Sequence, residues 1–449
     1  MTELYPHQVR AVNKLKKLKV GALFMEQGTG KTRTALELIK IRMDAGKVSK
    51  VLWLCPCSVK ENLKTDIIKH VGHFPDYIKI TGIQTLSSSV RENAECLEYV
   101  SPDCYLVVDE SLLIKNHHAI RSDNIVRLSE RCTYKLILNG TPISRTQADL
   151  YNQFKILDWR ILGYKSFYSF AANHLEYDEY GKIRRCLNTD YLAKKVDMYS
   201  VEIKKSDCLQ LPNKRYHEYG YHMTDEQEWE YNKVAEELLF EVNEMKPETI
   251  YRLFSGLQAV ISGMRINSKG RFMPEPMFTD FENPRLRELD DALAVTGDEK
   301  VMIFCKYTHE IDTLCEYLGD KAVRYDGSIS VKKRNAAVEK FKSDGQYLIA
   351  HKTCAGFGLN LQFCHNIVFY SNDWDFATRS QAEDRIHRIG QEEECRIFDI
   401  YAKHSLEQRI LKCLARKENI LESFKDNLKK LEWLRGEDNE EKLRKQDIH

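Results

Sequence analysis

Nothing in this sequence approaches the roughly 20 consecutive apolar residues that a bilayer-crossing helix needs. The start, MTELYPHQ, lacks the basic-then-apolar pattern of a secretory leader. No low-complexity tract suggests a disordered chain, and 43% of the residues are hydrophobic, an ordinary share for globular proteins. Neither charge sign dominates: 68 Lys and Arg face 67 Asp and Glu. A nucleic-acid partner would therefore have to find a local groove, not a globally basic surface. The 13 cysteines include no pair of CxxC units with zinc-site spacing; only Cys55 and Cys57 lie close together, as CPC. This pattern excludes a zinc module and a disulfide framework, and predicts reduced, mostly buried thiols. The expectation is a soluble, cytoplasmic, multidomain protein of 449 residues, since single cores rarely grow beyond roughly 250 to 300.

What is present is an alternation of short apolar strands and amphipathic helices, the pattern of an α/β fold with parallel sheets flanked by helices. Gly21 to Met25, Val51 to Cys55, Tyr105 to Val108 and Leu136 to Leu138 read as strands in the first part. Val301 to Cys305, Ala322 to Tyr325, Tyr347 to Ala350, Ile367 to Tyr370 and Arg396 to Tyr401 read as strands in the second. Their Val/Ile/Leu character suits strands buried on both faces. Between the two parts the alternation fades, and stretches such as Glu226 to Met245 read as helix. The predicted organisation is a first sheet-building lobe over 1–160, helical insertions and an inter-lobe spacer over 161–280, a second lobe over 281–415 and a helical tail over 416–449.

Gly28-Thr29-Gly30-Lys31-Thr32 follows a predicted strand and opens a predicted helix. Glycines let backbone N–H groups approach phosphates, and a helix N-terminus adds positive dipole. Lys31 is placed to contact β- and γ-phosphates and Thr32 to ligate Mg²⁺. Met25 stands where such loops carry a first glycine, and reads as an apolar packing residue beneath the loop. The strand before Asp109 and Glu110 then supplies two acids, Asp109 for the metal and Glu110 for orienting and deprotonating water. Gln381 to Gln391, QAEDRIHRIGQ, places Arg385 and Arg388 three apart, on one face if the segment is helical. Two such arginines suit a polyphosphate, and one of them suits a finger that stabilises charge in phosphoryl transfer.

The order GTGKT, VVDESLLIKN, LNGTP, AGFGLNL and QAEDRIHRIGQ resembles the superfamily-two helicases. Ile114 to Asn116 and the final IGQ narrow the resemblance to the SWI/SNF-type branch of double-stranded DNA translocases, and the small size of the chain suggests a compact microbial or viral form. It covers about residues 4 to 415. The resemblance implies two RecA-like lobes with ATP and Mg²⁺ bound between them. It also implies that Gln8 reads adenine, that Gly28, Thr29, Gly30, Lys31 and Thr32 form the phosphate loop, and that Arg388 is the finger beside Arg385. Gly140 and Thr141, with Gly358, Asn360 and Gln381, would couple hydrolysis to movement. Pro56 and Ser58 would touch the nucleic-acid backbone, a mainly electrostatic, salt-sensitive contact; Lys332, at a predicted helix start, reads either as a further phosphate contact or as part of a charged surface turn. The chain departs from the family pattern at Leu112, where a histidine is usual and would join a polar relay to the coupling segment. Arg145, Cys354-Ala355 and Trp374-Asp375-Phe376 are further departures.

Other features have plainer readings. His117 and His118 suit a solvated loop, and Tyr164, Phe167, Tyr168 and Phe170 suit anchors of a helical insertion. The expected activity is DNA-stimulated ATP hydrolysis driving a monomer along duplex DNA, with the tail open to a protein partner. A strand-separating DNA or RNA helicase and a nucleotide-gated DNA-binding module with little turnover are the competing functions.

Overall fold

The computed structural model describes residues 1–143, 146–178, 181, 183–208, 211–240, 247–267, 271–278, 281–351, 361–374 and 376–416. The chain divides into two units, Met1–Gln210 and Leu211–His449. In the first, β1 (Val20–Met25), β2 (Lys50–Cys55), β3 (Ile78–Gly82), β4 (Cys104–Val108), β5 (Tyr134–Asn139) and β8 (Ser200–Ile203) form one sheet, ordered β3-β2-β4-β5-β1-β8. Every pairing in it is parallel. A hairpin of β6 (Leu175–Tyr177) and β7 (Ile183–Cys186) stands apart from that sheet.

Burial on both faces follows from the strand alternation. Along β2, Leu52 and Leu54 enter one apolar cluster, while Val51, Trp53 and Cys55 enter another on the opposite face. Helices such as Lys31–Asp44 and Ala148–Asp158 supply the covering side chains, Leu36 and Ile39 on one face and Leu150 and Phe154 on the other.

The second unit repeats the scheme. β9 (Lys214–Tyr221), β12 (Val301–Cys305), β13 (Ala322–Tyr325), β14 (Tyr347–His351), β15 (Asn366–Phe369) and β16 (Cys395–Ala402) give a parallel sheet, ordered β13-β14-β12-β15-β16-β9. Val301, Ile303 and Cys305 face one core cluster, Met302 and Phe304 the other. A small antiparallel pair, β10 (Met264–Ile266) and β11 (Phe272–Pro276), follows the helix Pro247–Ile261. The expected α/β architecture of two helix-flanked parallel sheets is therefore present.

The expected domain limits need correction. Residues 161–280 do not stand apart as insertions and spacer: β8 pairs with β1 in the first sheet, and β9 pairs with β16 in the second. Both are edge strands with one open flank, so their sequences, SVEI and KRYHEYGY, lack the continuous apolar run of a central strand. β3, the other edge of the first sheet, escapes sequence detection for the same reason. The helix Leu406–Arg416 closes the stretch expected as the second lobe, and residues 417–449, nearly all of the expected helical tail, lie outside the described residues.

A buried charge cluster ties the second unit together. Arg285, fully buried, donates to Tyr221 Oη at 3.0 Å, to the Tyr370 carbonyl at 2.7 Å and to Glu407 at 2.5 Å, with Glu310 at 3.6 Å. Burial pushes the Glu310 carboxyl up, but Arg285, His309, the Ser371 hydroxyl and the Tyr307 N–H more than offset this and hold it below its usual range. His309 is shifted down, chiefly by burial. In both cases the unfolded chain binds more protons than the folded one, so stability rises with pH. Thermal melts across a pH series should show loss of stability beginning as pH falls below about 6.5 and deepening below about 4.3, the unfolded values of His and Glu. A melting temperature unchanged between neutral pH and pH 4 would contradict this assignment.

Candidate nucleotide site

Four of the segments singled out in the sequence lie at the C-terminal ends of parallel strands in the first sheet, the side on which open α/β sheets bind ligands. After β1 the chain turns through Gly28 and Gly30, both with left-handed φ, 83° and 87°, and enters the helix Lys31–Asp44. A side chain at Gly30 would be doubly excluded: an added Cβ would fall 2.0 Å from Gln8 Nε2. Gln8 is buried and donates to the Thr29 carbonyl at 3.2 Å and the Gly30 carbonyl at 3.4 Å, while its Oε1 accepts the Tyr5 N–H at 2.9 Å. His7 Nε2 lies 2.9 Å from the same Thr29 carbonyl, a contact that sequence reading missed. Lys31 Nζ donates to the Met25 carbonyl at 2.8 Å, folding the ammonium over the loop. Met25 itself is buried in the apolar cluster beneath it.

Asp109 and Glu110 follow β4, and β5 alone separates β4 from β1. Two strand spacings, about 10 Å, thus part the phosphate loop from the acids, room for phosphates and a metal. Burial, followed by the neighbouring Glu110 charge, pushes the Asp109 carboxyl up to about 7, with Lys31 acting in the opposite direction. Such a carboxylate gains from a nearby cation. Glu110 adopts a left-handed backbone, φ 49°, which costs a residue with a side chain ~1 to 3 kcal/mol and persists only where neighbours enforce it. Those neighbours include Asp109 Oδ1, which accepts the Glu110 N–H at 2.9 Å, and the Leu113 N–H, which donates to the Glu110 carbonyl at 2.9 Å. Thr32, at the helix start, and Asp109 are a donor set that fits Mg²⁺, an ion usually held by one or two protein oxygens plus phosphate and water. No cluster of three His, Cys, Asp or Glu side chains suited to a metal occurs among the described residues.

The loop after β5 holds Gly140, whose N–H donates to Asn139 Oδ1 at 2.8 Å, and an exposed Thr141. After β2, buried Pro56 leads into a short 3-10 turn, Cys57–Val59, that exposes Ser58. His117 is not a solvated loop residue. It stacks on Phe167 with ring centroids 3.9 Å apart, beside Tyr151, because the helix Phe167–His174 returns over that loop. Phe170 and Tyr164 anchor that helix as expected, whereas Tyr168 is exposed.

In the second unit the helix Phe376–Glu383 ends before both predicted arginines. Arg385 and Arg388 therefore do not share a helix face; they occupy the turn that follows. Gln391 explains the turn: its Nε2 donates to the Cys364 carbonyl at 2.9 Å and the Ile386 carbonyl at 3.2 Å, with Gly390 at φ 93°. Arg385 is buried, and its Nε donates to the Gln381 carbonyl at 3.1 Å; Arg388 is half-buried. Arg379, which sequence reading missed, orients the preceding helix by pairing with Glu383 at 3.0 Å and bidentately with Asp399 at 2.5 and 2.7 Å. Lys332 is exposed in the first turn of the helix Val331–Lys342. Gly358, Asn360, Cys354, Ala355, Arg145 and Asp375 lie outside the described residues.

Residues 76–263 match the SNF2-related domain family, 284–390 the helicase conserved C-terminal domain, and 1–144 the family described as type III restriction enzyme, res subunit. A relative from Bacillus subtilis, described as an uncharacterised ATP-dependent helicase, is 25% identical over 93% of this chain and 78% of its own length. A similarly described helicase of Mycoplasma genitalium is 24% identical over 89% of this chain, which spans only 40% of that relative. The Sulfolobus solfataricus SWI2/SNF2 ATPase core, solved in complex with dsDNA, aligns over 98% of this chain and 96% of its own, with TM-score 0.43 and 21% identity. Along the chain, the match to the SNF2-related domain family over residues 76–263 is thus followed by the match to the helicase conserved C-terminal domain over 284–390.

Proposed function

We propose that this protein is a DNA-stimulated ATPase that uses ATP and Mg²⁺ to translocate along double-stranded DNA. The observation that carries the reading is that the Gly28–Thr32 loop and the Asp109–Glu110 pair share the C-terminal end of one parallel sheet, in a chain that matches the SNF2-related domain family. In this reading Lys31 leaves the Met25 carbonyl for the β- and γ-phosphates, and Glu110 orients and deprotonates the attacking water. Bound Mg²⁺ supplies charge neutralisation on the phosphates, held by Thr32 and Asp109. Arg388 acts as the finger, with Arg385 beside it; Gln8 reads the base. Gly140, Thr141, Gly358, Asn360 and Gln381 couple turnover to movement, and Pro56, Ser58 and Lys332 meet the DNA backbone.

The decisive test compares ATP turnover with duplex DNA, single-stranded DNA and RNA at two salt concentrations. Duplex DNA should stimulate most, and the stimulation should weaken steeply with salt, as counterion release requires. Preferential stimulation by a single strand or RNA would replace translocation with strand separation. Little turnover with or without any nucleic acid would leave only a nucleotide-gated binding module.

A further inference from the structure

Leu112 deprives this chain of the histidine that would link the acid pair to the coupling segment, yet the loops after β4 and β5 are bridged. Gln153, on the helix Ala148–Asp158, is fully buried. Its Oε1 accepts the buried Ser111 hydroxyl at 2.6 Å. Its Nε2 donates to the Pro142 carbonyl at 2.9 Å and to the Asp149 carbonyl at 2.8 Å. The amide orientation follows from this set, because an oxygen facing two carbonyls would have no donor. A glutamine on a helix that gives Tyr151, Phe154 and Ile156 to an apolar cluster would not be fully buried without such partners, since unpaired burial is costly. Ser111 directly follows Glu110, whose left-handed backbone requires enforcement. Pro142 directly follows Thr141 in the coupling loop.

We propose that Gln153 is a positioning residue that joins Glu110 to the Gly140–Pro142 loop, so that movement of that loop reaches the water-activating carboxylate through Ser111. The inference rests on the ATPase reading above. The neighbouring Asn152 supports the frame by donating to the Ile114 carbonyl at 2.5 Å, which also accepts the Ser122 hydroxyl at 3.1 Å. Leu112, half-buried beside this frame, then has no relay to complete.

The experiment measures basal and duplex-DNA-stimulated ATP turnover, ATP KM and thermal stability for wild type, Gln153→Leu, Gln153→Glu and the double variant Ser111→Ala/Gln153→Leu. Gln153→Glu keeps an acceptor for Ser111 but loses the donor to Pro142. The double variant removes the Ser111–Gln153 pair as a whole, so no buried hydroxyl is left unpaired as it is in Gln153→Leu alone, while the Pro142 carbonyl loses its donor in both. The ratio of stimulated to basal turnover should fall about 5- to 150-fold, the usual range of coupling between sites, in all three variants and with ATP KM unchanged. Recovery of the ratio in the double variant together with its stability would mean a packing role only, and would overturn the proposal. So would a wild-type ratio in Gln153→Glu. A wild-type protein that duplex DNA does not stimulate would fail the ATPase reading itself, before any variant is compared.

Discussion

Lys31→Ala and Arg388→Ala should each reduce nucleic-acid-stimulated ATP hydrolysis to background, by different routes. Lys31 already sits over the phosphate loop, its ammonium on the Met25 carbonyl. The alanine variant therefore loses the charge that would meet the β- and γ-phosphates, and nucleotide affinity should fall with turnover. Arg388 lies in a backbone-held turn whose carbonyl accepts the Gln391 N–H at 3.0 Å. That bond survives substitution, so Arg388→Ala should fold and bind nucleotide yet lose ~10³- to 10⁵-fold in kcat, the usual worth of an arginine finger. Arg388→Lys should not restore the rate, because an ammonium lacks the planar fork. Single-turnover hydrolysis alongside equilibrium binding of a fluorescent nucleotide separates the two effects. Wild-type turnover in either alanine variant would refute the residue assignment.

The largest expected loss of stability comes from Arg285→Ala. The guanidinium faces Glu407 and Glu310 with all three side chains buried, and rings of Tyr221 and Tyr370 lie 5.6 and 5.3 Å from its centre. Removing it strands two carboxylates, a change that typically costs about 3 to 5 kcal/mol. For a unit of this size each kcal/mol moves Tm by about 2 to 4 °C, so the transition of the second unit should fall by roughly 6 to 20 °C. Arg285→Ala combined with Glu407→Gln and Glu310→Gln should recover part of the loss, because the stranded charges go with it. Denaturant melts followed by tryptophan fluorescence report the change. A shift worth less than ~1 kcal/mol would mean that water or another cation already compensates these acids.

The sequence signalled the central strands and the Gly28–Thr32 turn at a helix start because each carries its own local chemistry. β2, β4 and β12 are continuous apolar runs, and Gly28–Thr32 combines two left-handed glycines with a lysine at a helix start. The edge strands β3, β8 and β9 were hidden because half their surface is open and their composition is mixed. Arg385 and Arg388 were found by type but misplaced on a helix: the turn holding them depends on Gln391 reaching the Cys364 carbonyl, a partner outside any local window. The roles of Arg285, Arg379 and Gln153 share that difficulty. Their meaning lies in acceptors up to 122 positions away, and only folding brings those together.

The placement of β8 and β9 also sets an order of events during synthesis. β8 pairs with β1 to finish the first sheet at Ile203, before β9 begins at Lys214. The first unit thus holds every strand of its sheet while the second has none. β9, by contrast, emerges long before its partner β16. At about 5 to 20 residues per second, it waits roughly 10 to 40 s with both edges unpaired. Its charged and aromatic sequence, KRYHEYGY, keeps a strand in that position soluble until its neighbour arrives.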